Sequence, residues 1–227
     1  MAETLQVRFE LDGWTLLFAH LERLAGAGDE LAALRQVTVG RARERLQIEN
    51  LANQPAVAAL RRLFRAAGCD PTRYRPSSEA LLRRVLKGSD LPAINPVVDI
   101  NNCLSVELAV PCCVMAEDSV EPPYVLRAGR PGESYESLKG PFNLEGKPLL
   151  VDGIGPCDAP ITGSQRVKIG PDSERAWLVA YLPTGVVTAE TVRETVGRLL
   201  TVAPVARLLS SCHRPTESEE TQENQDG

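Results

Sequence analysis

The sequence predicts an α+β fold: a mainly helical N-terminal part, then a mostly antiparallel sheet with packing helices. Three observations predict it. Between residues 53 and 88 apolar side chains recur at helical spacing. After Pro92, short β-rich runs separated by Gly and Pro take over. One helical period then returns between Thr188 and Leu200, ahead of Pro204. With 227 residues, 43% hydrophobic and 24% charged, the composition is that of a globular chain able to build an unaided core.

The elements follow in order. Residues 5–11 alternate Leu5, Val7, Phe9 and Leu11 with polar partners, a strand pattern that ends at Asp12-Gly13. In residues 14–24, Leu17, Leu21 and Leu24 fall at helical spacing, and Gly26 and Gly28 supply a stop. Residues 29–51 are helical in period with weak boundaries. Asn53 is the expected cap of the next helix, with Pro55 in its first turn. Val57, Leu60, Leu63 and Phe64 form its buried stripe, and Gly68 its end. Ser77 or Ser78 is expected to cap another, carrying Glu79 in its first turn, Leu81, Leu82, Val85 and Leu86 on its apolar face, and Gly88 at its close. Strands are expected at 97–100, 104–110, 124–128, 149–152, 166–169 and 177–182, and Thr188 is expected to cap a last helix through Val192, Val196 and Leu199. The chain divides accordingly into an N-terminal region (1–52), a main domain (53–210) and an acidic tail (211–227).

Charge is unevenly distributed. The net charge is -5, and residues 215–227 hold Glu217, Glu219, Glu220, Glu223 and Asp226 without a base, so the rest of the chain is neutral. Such a tail reads as a solvating extension. Between Asn53 and Gly88, however, Arg61, Arg62, Arg65, Arg73, Arg75, Arg83, Arg84 and Lys87 face only Asp70 and Glu79, a net +6. A patch of that kind attracts a polyanion; equally, arginine is a good helix former and suits a solvated face. Only Tyr74 and Phe64 accompany it, which argues against a stacking platform for single strands.

Other chemistries find little footing. The apolar runs are too short to span a bilayer, and Glu3, Glu10 and Asp12 are unlike a signal peptide, so a cytoplasmic location is expected. Cys69, Cys103, Cys112, Cys113, Cys157 and Cys212 form no CxxC pair, and His20 and His213 are the two histidines, so no metal is expected. Cys112-Cys113 reads as two reduced thiols, as a vicinal disulfide or as a soft-metal pair, the first being the expected one. The loop Asp152-Gly-Ile-Gly-Pro-Cys-Asp158 brings glycine N–H groups near a carbonyl or phosphate oxygen, but it has neither GxGxxG nor a Walker lysine, and no cofactor is expected.

The stretch from Arg73 to Pro111, with Asp-Ile-Asn-Asn at 99–102, Leu104-Ser105 and the strand-ending Pro111, is followed by Gly132-Glu133, Asp152 with its glycines, and Ser164-x-Arg166. In that order the motifs resemble the B3/B4-type editing domain of the phenylalanyl-tRNA synthetase beta subunit, in stand-alone form, over roughly residues 55 to 205. The resemblance implies a pocket for an aminoacyl group and hydrolysis of a mischarged aminoacyl-tRNA. Asn102 matches an asparagine lining that pocket, and Asp158 falls near its acidic residue. Cys113 stands where many synthetases carry a histidine.

Pocket candidates are thus Asn101, Asn102, Cys113, Gly153, Gly155 and Asp158, with the eight bases as candidate contacts to a tRNA acceptor end; DNA and membrane are not expected partners. Read as a strand, residues 97–100 place Asp99 and Asn101 on one face and Asn102 on the other. Asp99 is then a pocket carboxylate, or it caps a turn or pairs with Arg84 or Arg73. With no histidine near in sequence, Cys113 is a poor nucleophile, and hydrolysis falls to a positioned water. The alternative is a non-catalytic domain that binds tRNA or a small molecule such as an amino acid.

Overall fold

The structure, a computed structural model, describes residues 5–216. Its elements are β1 (Val7–Phe9), β2 (Trp14–Arg23), α1 (Gly28–Arg45), α2 (Pro55–Ala66), α3 (Ser77–Leu86), α4 (Pro96–Leu108), β3 (Cys112–Ala116), β4 (Tyr124–Ala128), β5 (Ser134–Ser137), β6 (Gly140–Asn143), β7 (Pro148–Val151), β8 (Pro156–Ala159), β9 (Thr162–Gly163), β10 (Arg175–Pro183), α5 (Ala189–Val202) and β11 (Ala206–Pro215). The α+β class holds.

Two sheets organise them. An antiparallel sheet of four strands runs β11-β2-β10-β3, and a sheet of five runs β1-β4-β7-β8-β9, with β1 parallel to β4 and the other pairs antiparallel. The β5–β6 hairpin stands apart. One face of the four-stranded sheet packs on α1, α3, α4 and α5; the other packs on α2 and the five-stranded sheet.

That arrangement corrects the reading of residues 14–24 as a helix: they form β2. Leu17, Ala19 and Leu21 enter the helix-side core, while Trp14, Leu16 and Phe18 enter the core between the sheets. A strand buried on both faces is a continuous apolar run, and its leucines reach helical spacing by coincidence. β2 lies between β11 and β10, so the N-terminal region supplies an inner strand of the four-stranded sheet.

The opposite correction applies to residues 97–110. Neither strand forms: residues 97–108 belong to α4, and Ala109 is its C-cap. Asn95 caps it, its side chain accepting from Val97 N at 3.0 Å, and Pro96 occupies the first turn. Val97, Ile100 and Leu104 make a buried stripe at i, i+3 and i+7, which outweighs the strand preference of the valines. Asn95→Ala is expected to cost about 1 kcal/mol, measurable by urea unfolding; no change would mean that Pro96 alone sets the start of α4.

Smaller corrections concern caps and ends. Gln54 and Pro76, not Asn53 and a serine, hold the cap positions of α2 and α3, and neither gives a side-chain cap bond. Thr188 does cap α5, accepting from Thr191 N at 3.1 Å. Residues 166–169 form no strand; Arg166 instead binds Asp152 and Ser119 O. β11 continues to Pro215, so the acidic tail begins no earlier than 216, and residues 217–227 lie outside the described residues. No described helix is long and apolar enough to cross a membrane.

Candidate functional site

Asp158 on β8 is fully buried. Tyr181 of β10 donates its hydroxyl to Asp158 Oδ2 at 2.6 Å. The Cys113 thiol interacts with the carboxyl, yet Asp158 Oδ1 has no donor in hydrogen-bonding geometry. Burial disfavours the charged form and raises this carboxyl to about 7, although the Tyr181 and Cys113 side chains pull the other way. A Cβ built on Gly163 would lie 3.6 Å from Asp158 Oδ1 and 3.9 Å from Cys113 Sγ, so the glycine sits directly beside both.

The surroundings are aromatic and thiol-rich. Tyr135 of β5 borders the carboxyl and donates its hydroxyl to Thr162 O at 2.5 Å. Leu138, at the hairpin tip, donates its N–H to Gly163 O at 3.1 Å, which lays the β5–β6 hairpin over β9. Burial first, and then the adjacent Asp158, push the Cys113 thiol well above its ordinary range, so it carries its proton at neutral pH and is no nucleophile. Burial likewise raises Cys112 to about 12. His20 lies on β2, separated from β3 by β10, where it stacks on Trp177 at 4.4 Å and faces Glu117; His213 is exposed on β11.

Asn101 and Asn102 lie on α4, where Asn102, not Asn101, shares a helix face with Asp99. Asn101 is buried, and its Nδ2 donates to Cys112 O at 3.2 Å while its Oδ1 has no donor. Asn102 is half-buried. Asp99 pairs with neither Arg84 nor Arg73: Arg35 binds its Oδ2, and Ile94 N donates to its Oδ1 at 2.9 Å, so this carboxylate secures the start of α4.

The glycine loop is closed on itself. Asp152 Oδ1 accepts from Ile154 N and Gly155 N, each at 3.0 Å, and its Oδ2 accepts from Glu121 N at 3.2 Å. Arg166 clamps the same carboxylate at 2.9 and 3.1 Å, and Gly153 N donates to Glu121 O at 2.6 Å. The N–H groups of both candidate glycines are therefore occupied. Glu133 also has a framework role, gripped twice by Arg127 at 2.7 Å; that grip holds its carboxyl at about 2.

The basic stretch splits. Arg61, Arg83 and Arg75 converge on the fully buried carboxylate of Glu79 at 3.0, 2.9 and 3.9 Å, which makes them a joint between α2 and α3. Arg73 lies over the Tyr74 ring at 5.1 Å. Arg62, Arg65, Arg84 and Lys87 are exposed and have no ion-pair partner among the described residues. One contact joins this segment to the end of the Asp158 strand, Ser77 N donating to Pro160 O at 2.8 Å, and a second joins it to the β5–β6 hairpin, Tyr74 meeting Phe142 of β6 edge-on at 6.1 Å.

Tyr181 and Tyr135 escape the sequence reading. The signal for Tyr181 is a lone hydroxyl within the apolar run 177–182, which needs a partner once that run is buried on both faces.

Comparison with known proteins gives the following. No curated protein matches the chain. Among solved structures, it is similar to an N-terminal fragment of the phenylalanyl-tRNA synthetase beta subunit from Pyrococcus horikoshii, with 13% identity and a TM-score of 0.47. That match covers 94% of this chain but 55% of the fragment, and is too distant to carry residue roles across. The B3/4 domain matches residues 59–198, more than half of the sequence. The chain belongs to the B3/4 domain family.

Proposed function

We propose that this is a cytoplasmic, editing-type protein that binds the aminoacyl end of tRNA and hydrolyses the ester of a mischarged one. The observation that carries the proposal is that the arginine-rich segment meets the end of the Asp158 strand through Ser77–Pro160 and the neighbouring β5–β6 hairpin through Tyr74–Phe142. Arg62, Arg65, Arg84 and Lys87 supply phosphate contacts, and the donor-free Asp158 Oδ1 supplies an acceptor for a proton-bearing group of the ligand. Because Asp158 is sealed, the hairpin tip at Leu138 has to shift for a ligand to reach it. Asn102, half-buried on α4, offers an amide to the same aminoacyl group. No side chain here is an activated nucleophile, so hydrolysis rests on a positioned water.

A second reading, binding without hydrolysis, is favoured by one specific observation: the protonated Cys113 and the internally satisfied glycine loop leave neither a nucleophile nor free loop amides. Incubation with tRNAs carrying cognate and non-cognate amino acids separates the two. Ester loss well above the spontaneous rate is expected for a non-cognate pair; tRNA binding without ester loss selects the second reading. Neutralising Arg62, Arg65, Arg84 and Lys87 together is expected to lower the log–log salt slope of tRNA binding by about 3–4. An unchanged slope means that the tRNA lies elsewhere.

A further inference from the structure

A cleft of about 200 Å³ opens where α1, the start of α2, the end of α4 and the segment before α5 converge. Its floor is apolar, formed by Ala42, Val106, Leu108 and Val187, and its rim carries Arg41 and Arg45, one turn apart on α1. A cation in the last turn of a helix, such as Arg45, is expected from the helix dipole alone. Arg41 stands a turn earlier and borders the same opening.

Neither guanidinium has a carboxylate partner among the described residues. Glu107, the acid of the cleft wall, is already bound by Arg198. Two unneutralised, fork-shaped donors above an apolar floor define a ligand with one anionic end and one apolar end. The volume is below the roughly 300–1,000 Å³ of sites that hold drug-sized molecules, so the ligand is small.

We propose that this cleft binds a small organic acid, its carboxylate held by Arg41 and Arg45 and its apolar body resting on Val106, Leu108 and Val187. This site is separate from Asp158 and does not rest on the tRNA reading.

The test uses the full chain and thermal-shift and calorimetric titrations with hexanoate and phenylacetate, alongside hexanol, hexylamine and inorganic phosphate. Saturable stabilisation by the two carboxylates is expected, with none from the alcohol or the amine. The double variant Arg41→Gln/Arg45→Gln is expected to weaken carboxylate binding at least about tenfold while melting like wild type without ligand. Val187→Phe keeps both charges, fills the cleft and is expected to abolish binding. Absence of saturable carboxylate binding overturns the proposal, as does undiminished binding by the double variant. Phosphate binding as tight as hexanoate overturns it too, since the apolar floor then contributes nothing.

Discussion

Replacing Glu79 with alanine is expected to destabilise the protein by about 3–5 kcal/mol, the range for removing one partner of a buried ion pair. The Glu79 side chain is fully buried, and the half-buried Arg61 spends both a bifurcated contact to it and a bond to Pro71 O at 3.3 Å. Without the carboxylate, Arg61 retains its desolvation cost and loses its charge partner, and α2 and α3 lose their joint. For a chain of this size the melting temperature should fall by roughly 6–20 °C. Glu79→Gln should fall between wild type and alanine, because an amide still accepts one hydrogen bond. A loss below about 1 kcal/mol in urea unfolding would show that the cluster behaves as a surface network, returning Arg61, Arg75 and Arg83 to the pool of cations free for phosphate.

The second large effect concerns Asp158 and pH. In the native protein burial raises this carboxyl from 3.8 to about 7. The unfolded chain releases the proton near 3.8 and the folded chain near 7, so the folded state binds more protons in between. Its favourable contribution is therefore complete below about pH 4 and is lost as pH rises through about 7, by roughly 4 kcal/mol at most. Asp158→Asn cannot ionise. Above about pH 8 the variant is expected to be more stable than wild type, and the stability slope between about pH 4 and about pH 7 should flatten. Melting curves for both proteins across that range are the measurement. Parallel curves would mean that Asp158 is solvated or ionised in the folded state.

These two residues also show what the sequence could and could not reveal. Helices α2, α3 and α5 were legible because each has one buried stripe and one solvated face, so their apolar residues keep the helical period. β2 was not, because burial on both faces erases alternation. α4 was misread because Val97, Val98 and Ile100 favour strands locally, whereas Asn95, Pro96 and the packing of Leu104 decide the outcome. The acidic and arginine-rich motifs were visible as residues but not as partnerships. Glu79 gathers arginines from two helices, Arg35 reaches Asp99 across 64 positions, and Arg166 closes the loop at Asp152. Asp158 stood out as a candidate, but its partners Tyr181 and Cys113 come from β10 and β3, joined by sheet pairing that no local pattern encodes.

The most direct test of the proposed function is single-turnover hydrolysis of mischarged aminoacyl-tRNA by wild type, Asp158→Asn and Asn102→Ala, with tRNA binding measured in parallel. Wild type should release the amino acid well above the spontaneous rate. Both variants should slow release at least about tenfold while retaining tRNA affinity, since phosphate contacts dominate affinity. Ester loss at the spontaneous rate with every aminoacyl-tRNA, or full activity in both variants, would contradict the placement of an editing site at Asp158.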